Sequence, residues 1–332
     1  ARDGKTGDLL WYSFANYRGR PAIVEDSVIA EPWSFDLRTG KKRQRRHAIT
    51  GRNEDWAFCR SDKQCGIFSA SNNFVFGRSM GLSYQDLQND GGLVTFWHSR
   101  SSCYIDCSSG GGLMIKPPQS LGCVCLWSTP FTIALGEVTT TPTAREIFAQ
   151  PGGVLPVKHL RLDMGATGDM RDSKGNLWLR SGAGEGHPLL LGYDAKIEMY
   201  EGGRPVQRSA FYTNIANTDD EFPFASALVG VKSCTLPLTD KDDGQANYLV
   251  RLGFNAPPGD KQGQRVFSVR LGGVEVLKDF DIVREAGATD RAVWKEFNVQ
   301  ASGELLLEFL PQVDQPQRES MPLVNAVEVL RN

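Results

Sequence analysis

The sequence predicts an all-β protein, and three observations carry that expectation. Apolar and polar residues alternate over short runs such as Lys158–Gly165, Tyr248–Phe254, Val266–Leu271 and Ala326–Leu330. A period of two sends successive side chains to opposite faces of a half-buried strand. The 35 glycines and 17 prolines cut the 332-residue chain into short segments rich in Val, Ile, Phe, Thr and Trp, which is the composition of strands joined by turns. No long segment keeps the 3.6-residue period of an amphipathic helix.

Composition sets further bounds. The length suffices for two domains. A net charge of −2 supplies no field that would gather nucleic acid or an acidic membrane. No apolar run reaches the length of a membrane-spanning helix. The chain starts Ala-Arg-Asp-Gly, with neither Met nor a signal peptide. The expectation is a processed product or a piece of something longer, secreted, periplasmic or on the cell surface.

Residues 1–137 read as a first region of hairpins. Asp3-Gly-Lys-Thr6-Gly7 is echoed by Asp36-Leu-Arg-Thr39-Gly40, and Trp11 follows the first copy. Asp and Thr side chains cap a tight turn, and Gly supplies the positive φ that the turn needs. The same region holds Cys59, Cys65, Cys103, Cys107, Cys123 and Cys125, whereas Cys234 stands alone. Six clustered cysteines in a turn-rich region read as disulfides of an oxidising compartment, with 15 pairings open. Zinc is the rival, but Cys103-x3-Cys107 and Cys123-x-Cys125 lack the usual C-x2-C spacing. Cys234 reads as a small buried apolar residue.

The paired Asp-x-x-Thr-Gly turns, with Cys65-Gly-Ile-Phe, Tyr84-Gln-Asp-Leu, Gly112-Leu-Met-Ile and Gly122-Cys-Val-Cys, resemble the repeats of quinoprotein-like (PQQ-like) β-propellers. The likeness is to the last blades of propellers in large secreted bacterial proteins that end in a malectin-like module. It implies a partial, propeller-like region of two or three blades. Because a ring needs about four to eight, the missing blades are expected from a longer chain or from another protein, or else the segment is a small closed sheet domain held by disulfides. No bound quinone is implied, and no cofactor is expected.

Residues 138–156, rich in Thr, Pro and Gly, read as a linker. Residues 157–332 then give about ten alternating runs, enough for a jelly-roll-like β-sandwich. The succession Tyr248–Phe254, Val266–Leu271, Val276–Ile282 with its Asp279-Phe-Asp-Ile block, and Leu323–Leu330 resembles malectin-like domains. That resemblance implies carbohydrate binding by aromatic stacking on the loop after the first of these strands. Here that loop, Asn255–Gly263, holds no aromatic. The candidate ligand-binding residues therefore become Trp178, Tyr193, Tyr200, Tyr212 and Trp294, each also readable as core. Asp314 stands near where the family places an acidic contact.

Other motifs have plainer readings. Gly77-Arg-Ser79-Met-Gly81 matches the nucleophile-elbow pattern, but no helix is expected after it, so a hairpin is the better reading. His47, His98, His159 and His187 form no close-spaced metal pair. The basic run Lys41–His47 reads as a charged edge strand rather than a nucleic-acid patch. Asp240, Asp242 and Asp243 are weak calcium candidates, too closely spaced for a full oxygen shell. Asp219–Glu221 and the pair Asp279/Asp281 offer carboxylates, yet the resemblance gives the second pair a structural role.

The expected function is non-catalytic extracellular recognition of carbohydrate or a cell-surface polymer through the C-terminal sandwich. The alternative is a structural or protein-interaction module that docks on a propeller or partner chain. No catalytic residues are assigned; a catalytic cleft would belong to the missing N-terminal part.

Overall fold

The computed structural model describes residues 1–60, 65–96, 99–100, 107–118, 129–136, 145–181, 189–209, 213–240 and 243–332. They fall into two compact units: residues 1–47, 52–152 and 185–191, and residues 48–51, 153–184 and 192–332. The all-β expectation holds, since the described helices are one of 4 residues and one of 5.

The first unit is built of open antiparallel sheets. Strands β1 (Ala22–Val24), β2 (Ser27–Ala30) and β3 (Trp33–Asp36) form one, and β4 (Gln44–Arg46) pairs with β5 (Asn53–Asp55). Strands β6 (Ser69–Ala70), β7 (Phe74–Ser79), β8 (Gly81–Asp86) and β9 (Leu93–Phe96) make a four-stranded meander. Strands β10 (Ser108–Gly110), β11 (Leu113–Lys116) and β12 (Ile133–Leu135) make a further sheet. None of the described sheets closes into a ring. Their apolar faces meet in a core of Val24, Ile29, Trp56, Phe58, Phe68, Val75 and Leu93. From the stretch read as a linker, Ile147 bridges Leu93 and Ala149 bridges Leu190 within this unit.

The repeated turn is built as its residues dictate. Asp36 Oδ1 accepts the Arg38 and Thr39 N–H groups and the Thr39 hydroxyl, and Gly40 takes φ +68°. Asp3 does the same for Lys5 and Thr6, with Gly7 at +78°. A third copy, missed in the sequence because Asn replaces Thr, is Asp86-Leu-Gln-Asn89-Asp90. There Asp86 Oδ1 accepts the Gln88 and Asn89 N–H groups, and Asp90 takes the positive φ. Trp11 donates to the Leu37 carbonyl at 2.8 Å and lies on Gly40, where an added Cβ would meet its ring at 2.5 Å. Only glycine fits that contact.

Charge patterning explains the basic run. Strand β4 faces the acidic β5, so Lys42 pairs with Asp55 at 2.6 Å, Gln44 also reaches Asp55, and Arg45 reaches Asp90 at 3.5 Å. Burial, aided by the charges of Arg52 and Arg45, lowers the His47 pKa to about 4 and keeps the ring neutral. Ser79 and Gly81 face each other in the β7–β8 hairpin with Met80 at its tip, as the hairpin reading required. Deeper in, Arg60 and Glu31 form a fully buried pair at 2.6 Å.

The second unit is a β-sandwich. One sheet has the order β14–β15–β13–β24–β18–β21, from β13 (His159–Asp163), β14 (Met170–Arg171), β15 (Leu177–Arg180), β18 (Ala246–Phe254), β21 (Val293–Ala301) and β24 (Ala326–Arg331). The other runs β16–β17–β22–β19–β20, from β16 (Lys196–Gln207), β17 (Ser226–Pro237), β19 (Val266–Leu271), β20 (Val274–Asp281) and β22 (Glu304–Pro311). The short β23 (Leu323–Val324) adds to β17. Helix α1 (Phe222–Ala225) leads into β17, and α2 (Ile282–Ala286) follows β20.

Alternation then does its work. Tyr248, Val250, Leu252 and Phe254 of one sheet, and Phe267, Val269 and Leu307 of the other, are all completely buried. Phe254 stacks across the sandwich on Phe280 and Phe267, with ring centroids 4.9 and 6.0 Å apart. Asp281 caps α2 through the Arg284 N–H and holds the Gly263 N–H at 2.6 Å, so it fixes the loop after β18.

Cys59 and Cys107 are buried and Cys65 is half-buried, while Cys103, Cys123 and Cys125 lie outside the described residues. No disulfide joins described residues. Burial, with Glu31 nearby, pushes the Cys59 thiol up to about 12. Cys234 is completely buried in β17, and burial raises its thiol to about 12, as befits a core residue.

Candidate functional site

A cavity of about 450 Å³ opens at one end of the sandwich. Its walls come from the end of β16 (Arg204, Val206, Gln207, with Arg208 beyond), from α1 and the start of β17, from the loop after β18 and from segment 318–325. Two asparagines build the floor. Asn325 donates to the Phe224 and Ser226 carbonyls and accepts the Asn255 N–H at 2.6 Å. Asn255 donates to the Phe224 carbonyl at 3.1 Å, while its Oδ1 is buried and has no hydrogen-bond partner among the described residues. An orphaned buried acceptor costs stability and calls for a reason.

Arginines dominate the rim. Arg265, 5% exposed, grips Asp260 at 2.8 Å and donates to the Arg318 and Met321 carbonyls. That grip ties the loop after β18 to segment 318–321. Arg208 pairs with Asp290 at 2.6 Å. Arg204 and Arg318 are exposed and make no ion pair among the described residues. Phe224, Leu323, Pro257 and Pro258 add apolar wall. The whole is a concave site in which arginines, amides and carboxylates share the wall with apolar residues about equally.

The residues singled out from sequence lie elsewhere. Trp178 and Tyr193 are 5% and 2% exposed, so their ring faces pack on protein rather than standing free for a sugar. The Tyr193 hydroxyl donates to the Pro237 carbonyl. Half-buried Tyr200 donates to the Phe309 carbonyl at 3.1 Å, and its pKa is raised by burial and by the charge of Asp314. Asp314 is exposed. None of these four lines the cavity. Tyr212, Asp242, His98 and His187 fall outside the described residues. Asp240 and Asp243 are exposed and joined by a turn bond, Asp240 N–H to Asp243 Oδ2 at 3.1 Å. Asp220 accepts the Ser173 N–H and hydroxyl.

The outer face of the β13–β24–β18–β21 sheet carries a second polar cluster. Arg161, Glu328, Arg251 and Glu296 are direct cross-strand neighbours, giving a row of alternating charge. Glu328 accepts from Arg161 at 2.7 Å, from Arg251 at 2.5 Å and meets His159 at 2.8 Å. One row on, Trp294 lies over Gly253, stacks under Arg251 and meets Trp178 at 6.1 Å. Burial works against the Glu328 charge, but the His159 and Arg251 hydrogen bonds and the Arg161 and Arg251 charges win, so its pKa falls to about 2 from 4.5. That depression stabilises the fold by roughly 3 kcal/mol. The contribution is complete above the unfolded value near 4.5 and is lost as pH falls through about 2. Glu328→Gln should therefore lower stability by about 2–3 kcal/mol at neutral pH and much less near pH 2, as acid-titrated urea unfolding would read. An equal loss at both pH values would refute this account. The row is saturated by its own partners, which leaves the cavity as the site.

Sequence comparison bears on the same part of the chain. Residues 166–318 match the malectin domain. The match spans somewhat less than half of the chain and takes in most of the cavity wall, so the C-terminal resemblance holds for this unit. No curated protein matches the chain. Among solved structures, the plant receptor-like kinase ANX2 is 19% identical, over 52% of this chain and 47% of its own, with a TM-score of 0.41. The ANXUR2 extracellular domain from Arabidopsis thaliana is 17% identical over 60% and 56%, with a TM-score of 0.40. A β-glucuronidase from Bacteroides uniformis is 14% identical over 81% of this chain and 28% of its own, with a TM-score of 0.42. The chain thus spans about half the length of the plant structures.

The cavity residues of this malectin-like unit were invisible as a motif. Asn255 opens the loop that the resemblance had singled out, but Arg204, Arg265 and Arg318 come from distant stretches, and only the fold gathers them.

Proposed function

We propose that the chain is a non-catalytic extracellular recognition protein whose malectin-like unit binds carbohydrate in the cavity at the end of the sandwich. One observation carries this reading: a 450 Å³ pocket, most of whose wall lies in the part matched to the malectin domain, lined by guanidinium, amide and carboxylate groups beside prolines and Phe224. Amides, acids and arginines hydrogen-bond sugar hydroxyls, and the apolar wall takes the ring faces. The loop after β18 lines the cavity with Asn255 and Asp260 beside Pro257 and Pro258, and holds no aromatic.

Protein docking is the second reading, favoured by the first unit. Leu9, Leu10, Tyr12, Phe14 and Tyr17 lie exposed along one short segment, with Phe14 at 95%.

The test uses the full chain on a broad glycan array, followed by calorimetry. Val206 is half-buried on the edge strand β16 and lines the cavity, so Val206→Trp should fill the space without unfolding the sandwich. The expected result is a glycan hit whose affinity falls at least about tenfold in that variant with an unchanged melting temperature. A hit indifferent to Val206→Trp would move the site elsewhere. Silence across the array from folded protein would favour the docking reading.

A further inference from the structure

We propose that the cavity selects glycans that carry an anionic group, a carboxylate or a sulfate. This rests on the carbohydrate reading above and adds the chemical class of the ligand.

Charge is the first ground. Of the four arginines that line the cavity, Arg265 is neutralised by Asp260 and Arg208 by Asp290. Arg204 and Arg318 remain, exposed and without an ion pair among the described residues, against the single further lining carboxylate of Glu319. A guanidinium is a planar fork that matches carboxylate and sulfate oxygens, and a concave wall of low dielectric strengthens the attraction.

Placement is the second ground. Arg318 is not on a loose tip: its own carbonyl and that of Met321 accept from the buried Arg265, which is itself clamped by Asp260. Arg204 sits in register with Val229 across the β16–β17 ladder. Both cations thus rise from fixed backbone, which limits the ordering entropy lost on binding.

The third ground is the chemistry of the ligand. A neutral sugar gives the two guanidiniums no charge to hold, whereas a sugar acid or a sulfated sugar brings an anion to Arg204 and Arg318 and a ring to the apolar wall of Phe224, Pro257 and Pro258.

Calorimetry on the full chain, at low and raised salt, tests this with three probes of similar length: a mannuronic-acid oligosaccharide, a sulfated dextran oligosaccharide and maltotetraose. The acid-bearing probes should bind at least about tenfold more tightly than the neutral one, and weaken with salt. Arg204→Gln with Arg318→Gln should abolish that preference and its salt dependence while leaving the melting temperature unchanged, since both side chains are exposed. The carboxylate and sulfate arms identify which anion is preferred. Equal binding of the neutral probe, unaltered in the double variant, overturns anion selection and leaves the carbohydrate reading standing. Displacement of the probes by inorganic sulfate at equal concentration overturns glycan selection, since the anion alone would then suffice. Failure of every probe, together with a silent array, defeats the carbohydrate reading and this inference with it.

Discussion

Phe267→Ala should destabilise the second unit by about 3–5 kcal/mol. The ring is completely buried and meets Phe254, Phe280 and Phe309 at centroid distances of 6.0, 5.7 and 6.4 Å, so it joins both sheets of the sandwich. Truncation removes the transfer energy of the ring and leaves a cavity that strands on a hydrogen-bonded ladder cannot close. Phe267→Leu, which keeps most of the volume, should cost far less. Hydrogen exchange of the β18 and β19 amides would localise the effect to this unit. A loss below about 1 kcal/mol would mean that the aromatic cluster is not where the two sheets are joined.

In the first unit, the largest single effect should come from Glu31→Gln. Glu31 and Arg60 are 3% and 2% exposed, and Arg60 Nη2 donates to Glu31 Oε2 at 2.6 Å, with Nε shared between the two carboxylate oxygens. Glutamine keeps the shape but removes the buried carboxylate charge that Arg60 grips, at a cost of about 3–5 kcal/mol. Replacing both partners together, Glu31→Leu with Arg60→Met, should cost far less, because an apolar pair of similar volume needs no compensation. Exchange rates of the β1–β3 amides would rise in the single variant and fall back in the double. If Glu31→Gln alone left them unchanged, the pair would hold no part of the fold together.

Strands such as Tyr248–Phe254 and Val266–Leu271 were legible because strict alternation needs only local sequence. The turns at Asp3 and Asp36 were legible for the same reason, since their hydrogen bonds close within five residues. The third turn at Asp86 was missed because Asn and Asp90 do the work of Thr and Gly. Strand β17 was read only from Ser233, since its earlier half, Ser226–Val231, is buried on both faces and shows no alternation. The aromatics chosen as sugar contacts show the limit most clearly. Nothing in a sequence separates a Trp that stacks on a ligand from one, like Trp178, that packs edge-on against Phe222 and tilted against Trp294. The cavity itself depends on pairings between residues far apart in the chain, such as Asn255 with Asn325.

The meeting of Trp178 and Trp294 has an optical consequence. Their centroids lie 6.1 Å apart and their planes are tilted by 40°. At that range two indole excited states mix, and the pair absorbs circularly polarised ultraviolet light with a split band that neither ring gives alone. One ring is rooted on β15 and the other on β21, with β13, β24 and β18 between them. The split band therefore exists only while all three intervening strands are in place. The sandwich carries its own gauge of sheet integrity, read without any label.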